Sequence, residues 1–200
     1  MRTPHPGTVT SDAQAFEQIS SRFQDEVGRI LSSIDFTRGP VPFWALTRMM
    51  FPVVESLGDL IYRQNNATAR NLRSVLEKEF ESVRSGYAGK AALLTLLYRH
   101  SLTHHDELLT LTSGRKEIGW SVNSADDANH LYIRTATPGF FILEFQPRAF
   151  YTDIVKVCGA AVNRNWSGEV MKRYNGWMSL DIESRQDSTA KAARTEMESL

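Results

Sequence analysis

The chain has 200 residues, 42% hydrophobic and 23% charged, which excludes disorder as a whole and suits one domain with a sizeable core. Its 23 basic and 23 acidic side chains cancel, so no global positive field draws it to nucleic acid or anionic membrane, and any phosphate site has to be local. The single cysteine, Cys158, rules out an internal disulfide framework and a multi-cysteine zinc site; with no apolar signal core and no run of about 18 apolar residues, a soluble cytoplasmic protein is expected.

Residues 1–10, with two prolines and a glycine, read as a flexible arm. Ser11 or Asp12 then caps a helix over 12–34, whose apolar positions Phe16, Ile19, Phe23, Val27, Ile30, Leu31 and Ile34 recur at helical spacing. "TRGPVP" ends it. A second helix over 43–64 is apolar nearly all round, as a central element is, and Pro52 is expected to kink or divide it. A third, over 67–85 with Asn66 as cap, buries Leu72, Val75, Leu76, Phe80 and Val83; a fourth runs from 87 to about 100.

The period then changes from helical to alternating. "KEIGWSV", "HLYIRTA" and "GFFILEF" read as strands of an antiparallel meander, with "ELLTLT" as a possible fourth, all within about 107–146. Pro147 suits the first turn of a closing helix to 163. Trp166, Tyr174 and Trp177 are too apolar for a purely solvated segment, whereas 181–200 read as a flexible tail. The expectation is therefore a mainly α (α+β) chain. It forms one domain over 11–180, a helical bundle with a small antiparallel β-meander inserted before the last core helix.

The segment "RHSLTHH" holds three of the five histidines directly after an apolar helix. Arg99 with His104 or His105 can meet one phosphate group: the guanidinium stabilises charge on its oxygens and an imidazole moves a proton near neutral pH, without metal. Three other readings remain open. Arg99 and His104 can serve as cations at a helix C-terminus. His100 and His104, one turn apart, can hold a metal with His105 or Asp106, although the glutamate of H-E-x-x-H is missing. The residues can also be structural parts of a noncatalytic module that binds a protein partner or a nucleotide.

Arg99, a polar residue in His100, and a histidine at 104 or 105 resemble the hallmark motif of the HEPN superfamily, small helical bundles found in bacterial toxins, antiphage systems and RNA-cleaving effectors. The resemblance covers the motif and, more loosely, the helices of 12–163; the strands depart from a minimal bundle of that kind. It implies a metal-independent endoribonuclease without cofactor, with Arg99 and His104 catalytic and His100 or His105 assisting. It also implies a homodimer in which two motifs share a cleft and a ribose 2′-hydroxyl attacks the neighbouring phosphate, as in a toxin with an antitoxin partner. Relatives that have lost cleavage bind RNA or act as interaction modules.

Glu55 and Asp59 lie one turn apart in the apolar second helix, with Arg48 nearby, and buried charges of this kind need partners. A structural ion pair is the simpler expectation; Glu55 is also placed to orient Arg99. His130, Cys158 and the aromatics Trp120, Phe140 and Phe141 read as structural or core, the last three with base stacking as the alternative.

Overall fold

The computed structural model describes residues 7–35, 43–63, 68–98, 110–122 and 129–177, together with Thr189 and Thr195. The chain is mainly helical with one small sheet. Ser11 caps α1 (Asp12–Phe23), its hydroxyl accepting from the Gln14 N–H at 3.2 Å. The helix runs through a π-helical turn (Gln24–Gly28) into α2 (Arg29–Ser33). At that turn a side chain on Gly28 would come within 2.6 Å of the Tyr151 hydroxyl, so the glycine admits Tyr151, whose ring stacks on Phe23 at 5.1 Å. The expected loose arm is fixed at its end: Val9 is buried, and its N–H and C=O both bond to the Asn175 side chain.

The central helix α3 (Phe43–Tyr62) is continuous through Pro52, which does not divide it. It presses on α4 (Thr68–Val75) closely enough that a Cβ on Gly58 would stand 2.7 Å from the Asn71 backbone. From α4 the chain passes through a second π-helical turn (Leu76–Phe80) into α5 (Glu81–Val83) and, after a turn, α6 (Ala91–Leu97). The Asn66 cap lies outside the described residues.

The strands β1 (Leu111–Ser113), β2 (Lys116–Val122), β3 (Ile133–Thr137) and β4 (Phe140–Phe145) pair in the order β1-β2-β4-β3. This corrects the expected antiparallel meander: β2 and β4 are parallel, and β3 lies outside β4. The physical reason is composition. "GFFILEF" is apolar at successive positions and takes the covered centre, whereas the mostly exposed "IRTAT" suits an edge.

Helix α7 (Pro147–Val162) packs on α1 and α3, and a further helix, α8 (Glu169–Trp177), follows it on α1. Asp12 caps α8, accepting from the N–H groups of Gly168 and Met171, both at 2.7 Å. Phe51 is the hub of the core: its ring centroid lies 4.5 Å from Tyr98, 5.0 Å from Phe150, 5.9 Å from Phe145 and 6.3 Å from Trp120. One residue of α3 thus joins α6, both central strands and α7. No described helix is long and apolar enough to cross a membrane.

Candidate functional site

Arg99, His100, His104 and His105 lie outside the described residues, but the residue that delivers the chain to them does not. Tyr98 is buried at the end of α6, its ring stacked on Phe51 at an interplanar angle of 10°. Its hydroxyl donates to Glu55 Oε2 at 3.4 Å, a long bond. Phe51 and Glu55 are one turn apart on α3, so one helix face grips both the ring and the hydroxyl of Tyr98. The partly exposed carboxylate of Glu55 thus meets the hydroxyl end of the Tyr98 side chain. Asp59 finds an amide partner: its Oδ1 accepts from Asn71 Nδ2 at 2.7 Å on α4.

Several described titratable groups also form a network around the buried Tyr87, His130 and Asp153 that sequence reading did not assemble. Glu81 Oε2 accepts from the N–H groups of Gly86 and Ala88, at 2.9 and 2.7 Å, which holds its carboxyl below the usual range and folds the turn after α5. That turn brings both Arg84 and Tyr87 to Asp153 on α7. Arg84 Nε donates to Asp153 Oδ2 at 2.6 Å, and the Tyr87 hydroxyl donates to the same oxygen at 2.9 Å.

The remaining proton positions follow by elimination. Gln146 N–H donates to His130 Nδ1 at 3.0 Å, so the neutral ring carries its proton on Nε2, which donates to the Tyr87 oxygen at 2.9 Å. Burial, reinforced by the Arg84 charge, pushes the His130 pKa down to about 3 and keeps the ring neutral; burial also raises the Tyr87 hydroxyl. Leu131, next to His130, sits at φ 66°, a left-handed conformation costing a non-glycine residue about 1–2 kcal/mol. Its buried side chain and its N–H bond to the Glu144 carbonyl at 2.8 Å hold it there.

Only His130 of this network had a sequence signal, as a structural residue; it lies 43 positions from Tyr87, which in turn lies 66 positions from Asp153. Cys158 is buried and desolvation pushes its thiol up to about 12, which disfavours the reactive thiolate. Trp120 is buried, as a core aromatic is, whereas Phe140 and Phe141 are partly exposed. Among the described residues no group of histidine, cysteine or carboxylate side chains is arranged to hold a metal ion.

No protein-family profile matches the chain, no curated protein matches it in sequence, and no solved structure matches its fold.

Proposed function

We propose that the chain is a HEPN-like helical bundle that acts on RNA as a metal-independent endoribonuclease, working as a homodimer. The observation that supports this reading is the double anchoring of Tyr98 by Phe51 and Glu55. It holds the Glu55 carboxylate against the side chain of the residue before Arg99, and in this reading Glu55 is the partner that orients the Arg99 guanidinium for a phosphate. In the proposed reaction the ribose 2′-oxygen bonds to phosphorus and loses its proton to an imidazole. The bond to the following 5′-oxygen breaks, and that oxygen takes up a proton. Arg99 stabilises the charge on the non-bridging oxygens and His104 moves a proton, with His100 or His105 assisting.

Incubating the purified protein with mixed RNA in EDTA tests the reading. Cleavage that leaves a 2′,3′-cyclic phosphate, and that Arg99→Ala abolishes, supports it; cleavage that needs added magnesium overturns it.

A second reading, a noncatalytic module for a protein partner, is favoured by a different feature. A groove of about 480 Å³ lies between α1 and α3, lined by Ile19, Met49 and Val53 together with Trp177 of α8, which is 48% exposed.

A further inference from the structure

The sheet outruns the helices that cover it. On its inner face Trp120 and Leu143 are buried against the core, yet the next row outward, Leu111, Ile118 and Phe141, is only partly covered. These three stand side by side on β1, β2 and β4, since Ile118 pairs with both Leu111 and Phe141. Opposite them α6 presents Leu93 and Leu96, the latter 46% exposed. The two layers part here into an open groove of about 390 Å³, within the size range of small-ligand sites.

The groove changes character outward. Alternation along the strands puts Ser113 and Lys116 on the same face, one row beyond Leu111 and Ile118, and both are exposed. An apolar slot thus opens onto a hydroxyl and an ammonium group. Its walls, Leu96 and Leu111, also bracket in sequence the segment that carries Arg99, His104 and His105.

The geometry points to a subsite for one unstacked base of single-stranded RNA, with the base against Leu96 and Phe141 and an adjoining phosphate at Lys116. This rests on the reading proposed above and deepens it. A base has an apolar face, a polar edge and an anionic backbone within a few ångströms, the same gradation that the groove presents. Neutral net charge gives no general attraction for polyanions, so such a subsite depends on a local cation beside a stacking surface, here Lys116 near Phe141, with Glu117 also on the lining.

The test uses the full-length protein and a fluorescent 2′-O-methyl RNA oligonucleotide, which lacks the attacking hydroxyl and stays intact. Its affinity is compared with that of the same oligonucleotide carrying abasic sites. Phe141→Leu and Leu96→Ser are expected to weaken binding of the base-bearing strand roughly 5- to 100-fold, the range for loss of one stacked base, and to leave the abasic strand unaffected. Lys116→Ala is expected to weaken both strands alike and to lower the salt dependence by about 0.7 in log–log slope. Leu96 and Lys116 are exposed, so these variants report even if Phe141→Leu unfolds.

Equal effects of Leu96→Ser on the two strands, or none, overturn the subsite. A change of oligomeric state in Leu96→Ser overturns it too, and makes the occupant a second copy of the chain. If wild type cleaves RNA, Arg99→Ala does not, and the base-specific losses are missing, only the subsite fails. If those losses appear while Arg99→Ala still cleaves, the proposed active site fails and the subsite stands; wild type that neither binds nor cleaves RNA sinks both.

Discussion

The Tyr87 hydroxyl donates to Asp153 Oδ2 while accepting from His130 Nε2, so one oxygen on the turn after α5 ties α7 to the turn that leads into β3. Tyr87→Phe keeps the ring and removes the link, leaving the His130 N–H unpaired and Asp153 with fewer donors. Stability is expected to fall by about 1–3 kcal/mol, the cost of an unsatisfied buried polar group. Urea unfolding of the variant beside wild type measures it, and an unchanged midpoint contradicts the network's role.

The same network makes stability depend on pH in a stated direction. His130 in the folded chain has its pKa pushed down from 6.5 to about 3, so between those values the unfolded chain holds one proton more than the folded chain. The stabilising effect is complete above about pH 6.5 and is lost as the pH falls toward 3, by about 1.4 kcal/mol per unit. His130→Phe removes this titration. Urea unfolding between about pH 7 and 5 should show a shallower pH slope for the variant, and equal slopes contradict the assignment.

Arg84 and Asp153 form the charged end of the network, with the carboxylate fully buried. Arg84→Ala strands that carboxylate and is expected to cost about 3–5 kcal/mol. Adding Asp153→Asn to Arg84→Ala should recover part of the loss, because the stranded charge is gone. A double-mutant cycle by denaturant unfolding measures the coupling, and strictly additive losses rule out the pairing.

If the chain cleaves RNA as proposed, His104→Ala should slow it by about 10²- to 10⁴-fold, the usual range for a general acid-base group, and His105→Ala by less. Glu55→Gln should lower the rate by roughly tenfold or more, as for a lost bond to a charged group. Tyr98→Phe separates two explanations of that loss: it removes the hydroxyl's bond to Glu55 but leaves the carboxylate in place. Equal losses in Glu55→Gln and Tyr98→Phe would make Glu55 a support for Tyr98 and not a partner of Arg99.

Much of this architecture was legible in the sequence, and the parts that were not share a cause. Helical spacing located the run from α1 to α2, and α7, to within a residue or two, because Phe16 and Phe150 each belong to a periodic apolar face, and the continuous apolar stretch around Phe51 located α3. Alternation identified the strands. It does not identify partners, and nothing between Val122 and Ile133 says that the chain passes beyond the place later filled by β4. Pro52 does not divide α3, since one missing N–H is tolerated inside a helix otherwise secured by Met50, Phe51, Val54 and Leu57 in the core. The arginine-histidine segment was visible because it is contiguous. The Arg84, Tyr87, His130 and Asp153 network was not, since no local spacing joins its members. Glu55 stands between these cases, its separation from Tyr98 bridged only by the guess that a charge on an apolar helix has a partner.

The Asp12 carboxylate that caps α8 has a consequence for biosynthesis. Three contacts staple the start of the described chain to its last helix: Asp12 to the α8 amides, Val9 to Asn175, and Gln18 to Tyr174. A nascent chain leaving the ribosome from its amino end exposes α1 first, but the surfaces that receive that helix, on α7 and α8, are made last. The apolar stripe of Phe16, Phe23 and Val27 therefore waits, unburied, through synthesis of some 120 further residues before Pro147 even begins α7. The closure of α1 against α8 is complete only after residue 175 has cleared the exit tunnel.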